Sequence, residues 1–144
     1  MVNIFNMQQT REYKVLLLGP SDIGKTTFLK KILYGNNIDT NNIPTTLGVD
    51  VKPVDIHRNN DKIRLNIWDC AGNPNYQGLK DGYYIGSNAA IIFKDHTDYH
   101  KNLEINIRNK CGEIPVLYIE NFDKNENITR EKNTLINFSF NNLL

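Results

Sequence analysis

One nine-residue stretch constrains the fold more than any other. Residues 19–27 read GPSDIGKTT and fit the frame G-x-x-x-x-G-K-[ST]. Such a loop works where backbone N–H groups converge on an anion at a helix N-terminus, so it needs a strand before it and a helix after it. Both are legible. Tyr13 to Gly19, YKVLLLG, is a short apolar run that suits a strand buried on both faces. After Lys25, the residues Phe28, Leu29, Ile32 and Leu33 recur at helical spacing, and Gly35 supplies a stop. In this frame Gly19, Pro20, Ser21, Asp22, Ile23, Gly24, Lys25, Thr26 and Thr27 make a cradle for phosphates. Lys25 would reach the outer phosphates, and Thr26 would place its hydroxyl on Mg²⁺. Asp22 is the oddity, a carboxylate in a loop built for polyphosphate.

The rest of the chain alternates strand and helix signals. Leu47, Val49 and Val51 alternate, Pro53 shifts the phase, and Val54 and Ile56 resume, which predicts an edge strand with a bulge. RNND at 58–61 is turn chemistry, and Ile63, Leu65 and Ile67 complete a hairpin. Further strands are expected at Asn88 to Phe93 and Ile114 to Ile119. Between them Tyr99, Leu103, Ile107 and Cys111 recur every four residues, a helix that Gly112 ends. A short helix is expected around Arg130, Glu131 and Lys132, and the alternation of Ile136, Phe138 and Phe140 predicts a last strand. The fold class that follows is α/β, with a mostly parallel central sheet, helices on both faces and the final helix missing. Residues 1–10 read as an N-terminal extension and residues 11–144 as a single domain.

Composition excludes several function classes. Seventeen basic and sixteen acidic residues leave a net charge of +1, so there is no electrostatic case for nucleic acid. No apolar run approaches the roughly 18 residues of a membrane span. The first residues, MVNIFN, and the last, FNNLL, carry neither a signal-peptide layout nor a lipidation motif, so no membrane anchor is expected. Cys70 and Cys111 stand outside any CxxC, which suits a reducing compartment. His96 and His100 are four apart, a spacing open to metal, but without a third ligand nearby they read as solvated polar residues. Lys30, Lys31, Lys52, Arg58, Lys62 and Arg64 read as solvated faces, and Tyr83 and Tyr84 as packing.

Three further segments carry a family resemblance. TTLGVDVKPV (45–54), NIWDCAG (66–72) and GLKDGYYI (78–85) resemble a small GTPase of the Ran type, a P-loop NTPase with a small G-domain. The resemblance runs from about Tyr13 to Ile119. It implies that Thr46 closes on Mg²⁺ when a γ-phosphate is present, that Asp69 holds the metal through water, and that the N–H of Gly72 senses the γ-phosphate. It further implies GTP and GDP as ligands, and nuclear transport receptors, an exchange factor and a GTPase-activating protein as partners. A monomer shared between nucleus and cytoplasm is the corresponding expectation.

The sequence departs from that pattern in three places. Asn73 stands where the family has the glutamine that orients the attacking water, one methylene shorter, and Pro74 stiffens the segment, so slow hydrolysis is expected. The base-reading motif N-K-x-D becomes ENFDKN (120–125): Asn121 falls in place, Phe122 replaces the lysine, and Lys124 sits where the aspartate belongs. Asp123 could serve only if the loop is shortened. The third departure is the end of the chain, where a missing final helix would leave one sheet face partly uncovered. Two other readings stay open: a degenerate, non-catalytic binding protein, and a different P-loop enzyme such as a nucleotide kinase, for which an arginine-rich lid is lacking.

Overall fold

The computed structural model describes residues 10–40, 43, 48–70 and 80–144. Among the described residues five strands and four helices follow one another as β1 (Arg11–Leu18), α1 (Lys25–Tyr34), β2 (Val49–Arg58), β3 (Asp61–Cys70), α2 (Lys80–Tyr84), β4 (Ala89–Lys94), α3 (Tyr99–Cys111), β5 (Val116–Glu120) and α4 (Thr129–Asn142). The sheet order is β2-β3-β1-β4-β5. β1 pairs in parallel with both β3 and β4, β4 pairs in parallel with β5, and only β2 runs antiparallel to its neighbour. The expected α/β fold with a mostly parallel sheet is therefore present.

Central position explains why β1 and β4 read as unbroken apolar runs. Leu16, Leu17, Ile91 and Ile92 have no accessible surface, because each face of these strands is covered by helices. On one face Leu17 of β1, Leu65 of β3, Phe28 of α1 and Leu135 of α4 belong to one cluster. On the other Leu16, Ile92, Tyr84 and Leu103 pack together. Both helix stops fall on the expected glycines. Gly35 donates its N–H to Lys31 O at 2.9 Å, and Gly112 donates to Arg108 O at 3.1 Å.

Three expectations are corrected. First, residues 136–140 are not a strand: α4 runs through them, so a last helix is present and covers the face that was expected to lie open. Ile136, Phe138 and Phe140 do alternate, but the side chains of α4 that bury are Leu135, Ser139 and Phe140, and only the last belongs to the alternating set. Second, there is no bulge at Pro53. The β2–β3 register runs unbroken through Val51↔Trp68, Pro53↔Asn66 and Ile56↔Ile63. The phase shift is a change of face: Val49 packs with the cluster on the α3 side, whereas Val54 and Ile56 belong to the cluster on the α1 side. Third, Lys31 does not belong to a solvated face; only 4% of it is exposed.

Candidate functional site

The loop between β1 and α1 owes its course to backbone freedom at two glycines. Gly19 takes φ +155 and lies so close to β4 that a Cβ on it would stand 2.9 Å from the Phe93 Cβ. Gly24, at φ +114, opens α1 and accepts the first helical bond, from Phe28 N–H at 2.8 Å. A Cβ there would meet the Phe122 ring at 2.7 Å. Between these two glycines Asp22 adopts φ +62, a left-handed conformation that an L-residue holds at a cost. Asp22 is exposed to solvent.

Lys25 is the group most shaped by this loop. Its Nζ donates to Gly19 O at 3.0 Å and to Pro20 O at 2.7 Å, so the ammonium folds back beneath the loop rather than extending into water. Burial pushes its pKa down to about 8, against the opposing pull of Asp69, Cys70 and Asp22. One residue on, the Thr26 hydroxyl donates to Asp69 Oδ2 at 2.6 Å. Asp69 stands at the end of β3, 1% exposed, which brings the end of a strand and the start of a helix to one point. A hydroxyl and a carboxylate side by side form an oxygen donor set of the kind that suits Mg²⁺.

The loop after β5 forms the far side of the site. Phe122 packs edge-on against Phe28 and Phe93, with ring centroids 5.9 and 5.2 Å away. Asn121 takes φ +53, a conformation that asparagine tolerates better than most residues. Asp123 turns onto its own loop, where its Oδ1 accepts the Asn125 N–H at 2.9 Å. The structure thus places the expected residues Gly19 to Thr27, Asp69, Asn121 and Asp123 around the same end of the sheet. Thr46, Gly72 and Asn73 lie outside the described residues. Among the described residues no group of three or more His, Cys, Asp or Glu is arranged to hold a metal, and His96 and His100 line an open groove instead.

Sequence reasoning passed over Lys31. Its Nζ donates to Lys124 O at 2.6 Å and to Glu126 O at 2.8 Å, tying the loop after β5 to α1. Asn36, just past α1, accepts the Ile128 N–H at 2.9 Å and so supports the entry to α4. The signal was available: Lys31 stands four residues after Thr27 and three after Phe28, on the buried stripe of α1.

A strand, a phosphate-loop frame, a helix, and a carboxylate from the neighbouring strand beside the threonine make a constellation suited to polyphosphate with a hard cation. The family model described as "Ras of Complex, Roc, domain of DAPkinase" matches residues 14–124, from within β1 to the loop after β5. No helix among the described residues is long and apolar enough to cross a membrane. The matched span covers most of the chain, includes the phosphate loop and Asp69, and stops short of α4; this chain belongs to the Roc family of Ras-like, GTP-binding switch domains.

Proposed function

We propose that this chain is a Mg²⁺-dependent switch that binds GTP and GDP and hydrolyses GTP slowly. The observation that carries the reading is the meeting of Lys25, Thr26 and Asp69 at the mouth of the phosphate loop, with the Thr26 hydroxyl 2.6 Å from the Asp69 carboxylate. Thr26 and Asp69, joined by Thr46, would hold the metal, and Mg²⁺ there would neutralise charge between the phosphates. Lys25 would exchange two loop carbonyls for phosphate oxygens when nucleotide enters, so that its charged donor meets a charged acceptor. Gly72 would report the γ-phosphate and Asn73 would position water, less effectively than a glutamine because its amide reaches less far.

The finer reading, a role like that of Ran, rests on LGVDV and GLKDGYYI. It implies transport receptors, an exchange factor and an activating protein as partners, and traffic between nucleus and cytoplasm. Asn121, and in this reading Asp123, would flank the base.

Calorimetry of the full chain with GTP and GDP, with and without Mg²⁺, tests the proposal. Mg²⁺-dependent binding is expected; absence of binding would instead favour a non-catalytic binding protein. Single-turnover hydrolysis tests the catalytic part, since Asn73→Gln should raise the rate. An unchanged rate would remove Asn73 from the explanation.

A further inference from the structure

Beside the phosphate loop, the carboxyl ends of β4 and β5 and the start of α3 enclose a groove of about 540 Å³ whose walls include Ile23, Asn121 and Phe122. Phe122 is half-buried, with part of its ring against Phe28, Phe93 and Gly24 and part lining the groove. An aromatic ring thus stands directly over the glycine that opens α1.

To tell guanine from adenine, a site needs acceptors for guanine's N–H donors, and a carboxylate with both oxygens available is the natural choice. The described carboxylates around this groove are oriented by other partners. Asp95 Oδ1 accepts the Thr97 N–H at 2.8 Å and its hydroxyl at 2.5 Å. Glu120 pairs with Lys94 at 2.9 Å, and Asp98 faces Lys101 at 3.5 Å. Asp123 takes the Asn125 N–H. The loop cannot simply slide to present Asp123 one position later, because Lys31 holds the carbonyls of Lys124 and Glu126 from inside the protein. What that register places against Gly24 is Lys124, whose Cβ would lie 3.5 Å from a Cβ on the glycine. A lysine ammonium has no acceptor to offer a base, and the Asn121 amide in the groove wall both donates and accepts, so it can meet either purine.

We propose that Phe122 is a stacking platform for the nucleotide base, and that the site admits purines without reading guanine. The inference rests on the nucleotide-binding reading above and specifies its selectivity. Stacking tolerates any base, since every base has a π-face. Sites built on hydrogen bonds reject an analogue by roughly 10⁴–10⁵-fold, whereas apolar contact discriminates by only about 10–200-fold.

The test is calorimetry on the full chain with Mg²⁺ and three probes: GDP, ADP and inorganic pyrophosphate. GDP and ADP should bind within about 200-fold of each other. Phe122→Ala should weaken both by roughly 5–150-fold, the loss of one stacked base, and leave pyrophosphate unchanged. Phe122→Lys combined with Lys124→Asp supplies the missing carboxylate and should raise the preference for GDP at least about tenfold. A wild-type preference for GDP above about 200-fold overturns the proposal without need of any variant. So does a Phe122→Ala protein that loses pyrophosphate as much as GDP, because Phe122 would then serve only to support the loop. If none of the three probes binds, the nucleotide-binding reading itself fails, and this inference with it.

Discussion

Replacing Asp22 by glycine separates the conformational cost of the phosphate loop from its electrostatic cost. At φ +62 the aspartate sits where an L-residue is disfavoured by about 1–2 kcal/mol, less for Asp than for most. Glycine removes that strain but loses about 0.4–1 kcal/mol through the greater freedom of its unfolded chain. The two terms nearly offset, so Asp22→Gly should change folding stability by no more than about 1 kcal/mol. Nucleotide release should respond more. A carboxylate on the order of 7 Å from a phosphate repels it by about 0.6 kcal/mol in water and about 2 kcal/mol at a protein surface, before screening by Mg²⁺ and Lys25. Asp22 also favours the charged form of Lys25, an effect of opposite sign that is smaller than the pull of Asp69 on the same lysine. The net expectation is release about 3–10-fold faster from wild type than from Asp22→Gly, measured with fluorescent GDP chased by unlabelled GDP. Raising the salt should narrow the gap, because a carboxylate in contact with solvent is open to screening. Equal or slower release from wild type would refute the electrostatic account.

Three further outcomes are expected. Gly24→Ala places a methyl 2.7 Å from the Phe122 ring at φ +114, and should cost about 2 kcal/mol or more in urea denaturation while accelerating nucleotide release. Leu135→Ala, at 1% exposure, should cost about 2–5 kcal/mol, whereas a solvated position would move stability by less than about 0.5 kcal/mol. The third concerns pH. Lys25 is held down at about 8 in the folded protein against an ordinary 10.5, so between those values the unfolded chain binds more protons and the nucleotide-free fold gains stability as pH rises. The full gain is about 3 kcal/mol, and Lys25→Met should lose it. Cys70, pushed up to about 12 by burial, acts in the opposite sense above its ordinary 9.0, and Lys25 is one of the charges that lowers it. The wild-type minus Lys25→Met difference, followed by urea denaturation below the ordinary pKa of Cys70, therefore reads the lysine; a difference that does not change with pH there would refute the assignment.

Legibility in the sequence followed how local the deciding interaction was. β1, the phosphate loop and α1 were readable because their signals, an apolar run, a glycine frame and a helical repeat, all lie within the segment they describe. The same holds for α3, whose four-residue repeat ends at Gly112, the observed stop. The misreadings arose where a distant partner decided. The alternation in residues 136–140 was genuine, but packing against β2 and β5 selected the helical face that carries Leu135 and Ser139. Pro53 looked like an insertion because a change of phase reads the same whether the strand bulges or its buried side chains pass from one helical layer to the other. Lys31 was hidden by its charge. Its partners are carbonyls more than ninety residues away, and only its place on the buried stripe gave notice. Within the site, the strand-loop-helix course around Lys25 and Thr26 was legible from the glycine frame, whereas the orientation of Asp123 depended on an N–H two residues further on.

The tie from Lys31 and Asn36 to the chain beyond β5 also bears on the order in which the protein can assemble. During synthesis the phosphate loop and α1 emerge early, but the carbonyls that Lys31 grips and the N–H that Asn36 accepts come much later in the chain. Until then Lys31 is a charged side chain on the stripe of α1 that is to be buried. A nascent chain that has released its phosphate loop and not yet α4 carries half a nucleotide site, with its long-range closure still to come. Completion of this end of the fold therefore waits on residues made late in the chain.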